Sequence, residues 1–229
     1  MIKGIIICLI VCLMNLPAIA IDYNDFPPKL RQILDQRINE LTSNGGICIA
    51  GRVLMSDGAE IRSGEDVMVN FFDRVDEPLW VYQDGWFIMG RNLPSDFVGT
   101  NNKLVLRAFG YEPNDVLIRT LQGEITYVEC VMQNTSPKKL ASVTGIVADD
   151  QNKPVEGASV NISFPGANHG YRGDTGYTYP HMEMTTGLNG KYSFEGLSSA
   201  DIYIVASKSG YAFHQVKFNP PAGKNGEIN

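Results

Sequence analysis

The chain is poor in the residues that do chemistry. Its 229 residues include three histidines and four cysteines, and no Cys-x-x-Cys, His-Glu-x-x-His, Gly-x-Ser-x-Gly or phosphate-binding loop occurs. His181-Met182-Glu183 copies part of a deaminase signature, but the paired cysteines that hold zinc in such sites are missing. These gaps argue against an enzyme and against a bound metal or cofactor. Positive charge is also scarce. With 19 Lys and Arg against 25 Asp and Glu, the net charge is −6, and the basic residues are scattered, so the electrostatic footprint of a nucleic-acid binder is absent. Beyond the first 20 residues no apolar run approaches the roughly 20 residues that span a bilayer, so no transmembrane segment is expected in the mature chain.

What is present begins with a leader. Residues 1–20 carry Lys3 near the start, an apolar stretch, and Ala18-Ile19-Ala20 at the end, the pattern of a secretory signal and its cleavage site. Asn15 and Pro17 interrupt the run too early for a retained anchor. Cleavage near Ala20 implies a secreted, periplasmic or cell-surface protein. Cys8 and Cys12 leave with the leader, while Cys48 and Cys130 remain where disulfides are permitted. A bridge between them closes a loop of 82 residues (130 minus 48), a constraint worth about 4 kcal/mol in the chain-entropy picture. Strand parity turns Cys48 outward and Cys130 inward. A disulfide and two separate thiols are both compatible with the sequence.

Residues 24–42 read as one amphipathic helix, with Leu30, Ile33, Leu34, Ile38 and Leu41 on one face. Thereafter short runs of Val, Ile, Phe and Tyr alternate with Gly, Asn, Asp and Pro clusters, which predicts an all-β chain. Asp84-Gly85 and Asn189-Gly190 read as two-residue hairpin turns. A two-residue turn pairs Tyr82 with Phe87 and Val81 with Ile88, placing Val81, Trp86 and Ile88 on an outer face that is apolar. The helix stripe is expected to cover it. In the later hairpin the same construction puts Thr186, Leu188, Lys191 and Ser193 outward, a mostly polar surface.

The two hairpins belong to a longer echo. Residues 145–164 repeat the pattern of 51–72, DGWFIMG (84–90) answers NGKYSFEG (189–196), and LVLRAFGY (104–111) answers IVASKSGY (204–211). Repetition in one order argues for two tandem units: a first β-sandwich over 47–132, a polar linker over 133–141, and a second β-sandwich over 142–229. GEIN at 226–229 aligns with only the start of GEITYVECVM at 123–132. The second unit is therefore expected to lack its last strand, either as a fragment or as an open sheet edge.

The second unit carries a recognisable motif set: Gly145, Val147 and Asp149; Lys153 to Val155 with Gly157, Ala158 and Val160; Thr186, Gly190, Tyr192 to Phe194, Gly196 and Leu197; then Tyr203, Val205 to Ser207, Gly210 and Tyr211. Over 142–220 this resembles the carboxypeptidase regulatory-like domain, a prealbumin-like (transthyretin-like) seven-stranded sandwich. The first unit is a degenerate copy. The resemblance implies two tandem prealbumin-like (Ig-like) antiparallel sandwiches and a non-catalytic accessory role, as spacer or as adhesion and binding module. It carries over no active site.

One loop exceeds what a turn between strands requires. Residues 165–184 gather Tyr171, Tyr177, Tyr179 and His181, flat side chains suited to stacking on a sugar, so carbohydrate binding is the alternative reading. His169, Asp174, His181 and Glu183 are a weaker metal candidate beside three flexible glycines, and Arg172-Gly173-Asp174 is a short adhesion-type triplet. The expected partner is thus a protein or glycan of unknown identity.

Overall fold

The computed structural model describes residues 8–11, 26, 28, 30–32, 34–35, 47–71, 81–91, 101–120, 125–165 and 180–228. Alternation of apolar and polar side chains makes most of them strand. In Asn114–Arg119, for example, Val116 and Ile118 are buried while Asp115, Leu117 and Arg119 are exposed, the two-residue period of a half-buried strand.

The first sandwich is built from β2 (Ile47–Met55), β3 (Met68–Phe71), β4 (Trp86–Arg91), β5 (Asn101–Arg107), β6 (Asn114–Arg119) and β7 (Ile125–Met132), and β1 (Cys8–Val11), from the stretch expected to be a leader, pairs with β7 at the sheet edge. One sheet has the order β1-β7-β2-β4 and the other β3-β5-β6. The second sandwich comprises β8 (Ala141–Ile146), β9 (Ser159–Ser163), β10 (His181–Thr185), β11 (Lys191–Leu197), β12 (Ile202–Ser207), β13 (His214–Phe218) and β14 (Asn225–Ile228). Its sheets run β11-β8-β14 and β10-β9-β12-β13. Neighbours within each sandwich are antiparallel, apart from the parallel pairs β1–β7, β2–β7 and β8–β14.

The sequence echo has a steric counterpart. Gly51 lies opposite Phe87 on one side and Val128 on the other. Gly145 lies opposite Tyr192 and Ile228. In each case a Cβ would collide with the facing ring and with the carbonyl oxygen of the parallel partner. A large ring thus lies over a bare backbone at the same point of both cores. The turn glycines match as well: Gly85 (φ +77°) abuts the Val53 carbonyl, and Gly190 (φ +66°) abuts that of Val147.

The turns themselves differ from expectation. At Asp84-Gly85 the chain closes with three residues, Gln83–Gly85, so that Val81 pairs with Phe87 and the Tyr82 N–H donates to the Trp86 carbonyl at 2.7 Å. Moving the register by one turns Val81 inward, where it is 3% exposed and part of the core. At Asn189-Gly190 there is no hairpin: β10 belongs to one sheet and β11 to the other, so the turn carries the chain between layers. Thr186 is accordingly buried. Its hydroxyl accepts from the Ala158 N–H at 2.9 Å and donates to the Val155 carbonyl at 2.7 Å.

Helical backbone occurs at residues 28, 30–32 and 34–35. Phe26, Leu30 and Leu34 are buried, and the Phe26 ring packs 5.6 Å from Trp86 and edge-on, 5.5 Å, against Tyr127. This is the cover expected over the apolar outer face of β4, and it extends across β2 to β7, where Ala50 and Tyr127 are almost fully buried. Ile33, Ile38 and Leu41 lie outside the described residues. Burial pushes the Tyr127 phenol up, and Glu129 adds to the effect.

The stretch expected as a plain polar linker is fastened at both ends. Thr135 N–H donates to the Gly110 carbonyl at 2.8 Å, and the Glu112 N–H donates to the Gln133 carbonyl at 2.7 Å. On the other side, the Gly223 N–H donates to the Lys139 carbonyl at 3.0 Å. Between the sandwiches Phe109 stacks on Phe164 with ring centroids 4.6 Å apart, and Met68, 2% exposed, belongs to the core cluster of the second sandwich. Full burial of a side chain such as Met68 contributes roughly 1.5–3 kcal/mol of transfer free energy, and the half-buried Phe109 contributes less. The junction is an extension of the second core.

Candidate functional site

The bridge weighed for Cys48 and Cys130 is not made. In the parallel ladder Cys48 faces Ile125, and Cys130 faces Val53. Five residues along a strand amount to roughly 16 Å, against the ~7 Å between Cα atoms that a disulfide tolerates. Cys130 is a buried thiol within the first core.

Of the candidate loop, Tyr171, Tyr177 and Tyr179 lie outside the described residues, as do His169 and the Arg172-Gly173-Asp174 triplet. His181 opens β10 opposite Ser163 and is exposed. Glu183 stands two residues on, on the same face, where its carboxylate accepts the Ser159 hydroxyl at 2.7 Å. Among the described residues no three His, Cys, Asp or Glu side chains gather closely enough to hold a metal ion.

A concave site lies elsewhere, at one end of the second sandwich. It is lined by residues of both sheets, beside Ile228 of β14. β14 pairs with β8 through four residues, from Asn225 opposite Ser142 to Ile228 opposite Gly145. The last strand expected to be missing is present as β14 through Ile228, in the place that β7 takes beside β2. Beyond Ile228 opens a cavity of about 890 Å³ whose walls include Ile146, Val147, Ile204, Tyr211, Phe213 and Val216. Ile146, Tyr211 and Phe213 are 39%, 52% and 71% exposed. Three of the large apolar side chains facing solvent therefore surround one groove, the kind of patch that marks an interaction surface.

Backbone polarity completes the site. Val147 donates its N–H to Gly190 and accepts at its carbonyl from Val155. Alternation along a strand then turns the N–H and C=O groups of Ile146 and Ala148 to the other side, toward the groove. Asp149 and Asp150 stand at its mouth. Asp149 is engaged in its own turn, accepting from the N–H groups of Gln151 and Lys153; Asp150 is exposed. The site thus combines an apolar trough, a strand edge and a carboxylate.

The corresponding place in the first sandwich is closed. Tyr111 packs against the core there, and its hydroxyl donates to Asp57 at 3.0 Å. Burial, and then the carboxylate beside it, push that phenol up to about 12. Asp57 in turn is held below the usual carboxylate range by the Asn134 amide and the Ala59 N–H. In the sequence Tyr211 is a member of the motif set and has no binding role assigned to it. The available signal was the run Tyr211-Ala212-Phe213, apolar beyond what its turn needs.

No protein-family profile matches the chain, and no curated protein does. Among solved structures, the TIE protein of Bacillus anthracis aligns with 80% of this chain and 33% of its own at 15% identity and a TM-score of 0.29. A minor pilin of Streptococcus agalactiae aligns over 79% and 93% at 11% identity and a TM-score of 0.31. A DUF3823 family protein from Bacteroides ovatus does so over 76% and 97% at 11% identity and a TM-score of 0.28. The chain spans a third of the length of the first of these. At such scores none bears on function, and the tandem β-sandwich assignment stands on the sheets described above.

Proposed function

We propose that the protein is a secreted or cell-surface, non-catalytic accessory protein, built of two carboxypeptidase regulatory-like modules over 47–132 and 142–229 and acting as a spacer that presents a binding surface. The observation that carries this reading is the junction. A spacer must transmit orientation from one end to the other, and here Phe109 and Met68 of the first sandwich are packed into the second. Hydrogen bonds on both sides of residues 133–141 oppose bending at the same place. No helix among the described residues is long and apolar enough to cross a membrane.

The test is orientational. Residual dipolar couplings from both sandwiches should fit a single alignment frame, and Phe109→Ala with Met68→Ala should split it into two. Two independent frames in the unmutated protein would remove the spacer reading. Peptidase and hydrolase panels with and without zinc address the other half: turnover abolished by His181→Ala would make the protein an enzyme. A glycan-array signal lost in Tyr177→Ala and Tyr179→Ala would move the reading to carbohydrate binding.

A further inference from the structure

The outer face of the sheet β10-β9-β12-β13 carries the side chains that point away from the second core, and strand pairing sets them in rows. His181, Ser163, Tyr203 and Lys217 lie side by side across the four strands, and Glu183, Asn161, Val205 and Gln215 form the next row. Thr185, Ser159 and Ser207 follow. Neighbours in a row are about 4.8 Å apart and alternate residues along a strand about 6.8 Å, so hydroxyls, amides and a carboxylate surround Tyr203 at close, regular intervals. The first row is recessed. Ser163 is fully buried although it lies on the outer side, and Tyr203 beside it is half-buried, whereas Gln215 is exposed.

On the other sheet of this unit the polar side chains are spent on each other: Ser142 donates to Asn225 at 3.1 Å, and the Asn225 amide donates to Thr144 at 3.4 Å. Here they are not. Glu183 takes the Ser159 hydroxyl, but the side-chain amides of Asn161 and Gln215 have no hydrogen-bond partner among the described residues. Charge and polarity narrow what such a face can hold. Lys217, the one Lys or Arg in these rows, is paired with Asp201 at 2.6 Å, so nothing on the face calls for an anion, and the chain as a whole, at −6, repels one. The large apolar side chains facing solvent, Leu117, Ile146, Leu188, Tyr211 and Phe213, all lie elsewhere, so the face lacks the apolar centre of a protein-binding patch. What remains is an aromatic ring among donors and acceptors, the lining that suits a neutral, hydroxyl-rich molecule. The tyrosine-bearing segment singled out in the sequence leaves β9 and enters β10 at the first row, because Ser163 pairs with His181.

We propose that this face is a binding site for a neutral oligosaccharide, with Tyr203 as the ring against which a sugar packs and Asn161, Gln215 and Glu183 as its hydrogen-bonding partners. Each amide offers both a donor and an acceptor to adjoining hydroxyls, and the Glu183 carboxylate accepts. The aromatic side chain adds contact area at low entropic cost. This rests on the reading of the protein as one that presents a binding surface, and gives that surface a ligand class.

The experiment titrates the full chain with cellohexaose, maltohexaose, xylohexaose and mannohexaose, with heparin as a polyanionic control, and follows backbone amide signals by NMR. At least one neutral hexaose should shift the amides of Asn161, Tyr203 and Gln215, with a Kd of about 1 mM or tighter. Tyr203→Ala should weaken that binding about tenfold, while Tyr203→Phe retains it. Gln215→Ala, at an exposed position, should weaken it about threefold at unchanged Tm, and it serves as the readout if Tyr203→Ala does not fold. Shifts confined to residues 165–180 would overturn the proposal by assigning the sugar to that segment. A response to heparin alone, binding left intact in Tyr203→Ala or in Gln215→Ala, or no shift with any hexaose at about 10 mM would overturn it as well. The orientational test of the spacer follows the alignment of the two sandwiches and this one follows sugar-induced shifts, so either can fail while the other stands.

Discussion

The two sandwiches share one plan and finish it differently. In the first, eight residues of β7 accompany β2, and Val128, Cys130 and Met132 are fully buried. In the second, four residues of β14 accompany β8, and Tyr211 and Phe213 face solvent where Tyr111 is tucked against Asp57. The difference teaches that the same sheets, rings and turn glycines are compatible with two surfaces at this end, one with its tyrosine packed against the core and bonded to Asp57, the other with its tyrosine facing solvent.

The comparison is most sharply broken at the shared glycines. Gly51→Ala and Gly145→Ala each force a ring or a carbonyl to shift, so each should cost about 3 kcal/mol or more, read as a lowered urea midpoint. Equal costs would mean that the two cores depend equally on the ring-over-glycine contact. A smaller cost at Gly145 would show that β14 yields where β7 cannot. Next in size is Thr186→Val, which leaves the buried Ala158 N–H without its hydroxyl partner and should cost about 1–3 kcal/mol. An unchanged midpoint would mean that the crossover between sheets is not pinned there.

Acid sharpens the contrast further. Burial alone raises the Asp115 carboxyl, but hydrogen bonds from Lys103 and Arg107 more than offset it and leave the group below its usual 3.8. A depressed folded value stabilises above the unfolded value, and that stabilisation is lost as pH falls through the folded one. Asp57 and Asp66 in the first sandwich are depressed as well, and Asp201 in the second. Stability should therefore fall below about pH 4, and Asp115→Asn should lower the pH 7 midpoint while flattening the acid limb. The smallest effect concerns the junction. Thr135 is buried, and its hydroxyl has no hydrogen-bond partner, so Thr135→Val should be neutral or raise stability by up to about 1 kcal/mol. A drop in Tm would show that the hydroxyl is satisfied in solution.

Much of the architecture was legible because it rests on local rules. Glycines facing rings, alternating apolar positions and the stripe carrying Leu30 and Leu34 each follow from period and side-chain size. What was not legible depended on partners distant in sequence. Asn189-Gly190 has the composition of a tight hairpin, yet the same positive φ at Gly190 serves a crossover, and only the sheet membership of β10 and β11 tells the two apart. The Asp84-Gly85 turn was placed correctly but one residue short, which sent Val81 to the wrong face. For the cysteines, the inward position of Cys130 follows from strand alternation, but the offset of Cys48 and Cys130 along β2 and β7 needed the register of a parallel pair. The candidate site was half visible: the apolar run Tyr211-Ala212-Phe213 stands out in the sequence, while the trough it borders needed the facing sheet.

The bare position beneath each ring has one more consequence. Between the copies the ring has changed from Phe87 to Tyr192 and its far-side neighbour from Val128 to Ile228, yet the letter between them has stayed the same. A ring above and a peptide oxygen alongside leave no radius for a substituent, so drift at that point is blocked by volume alone. Further diverged copies of this module are best sought by that residue and its spacing to an aromatic, since the large apolar side chains around it are free to trade places.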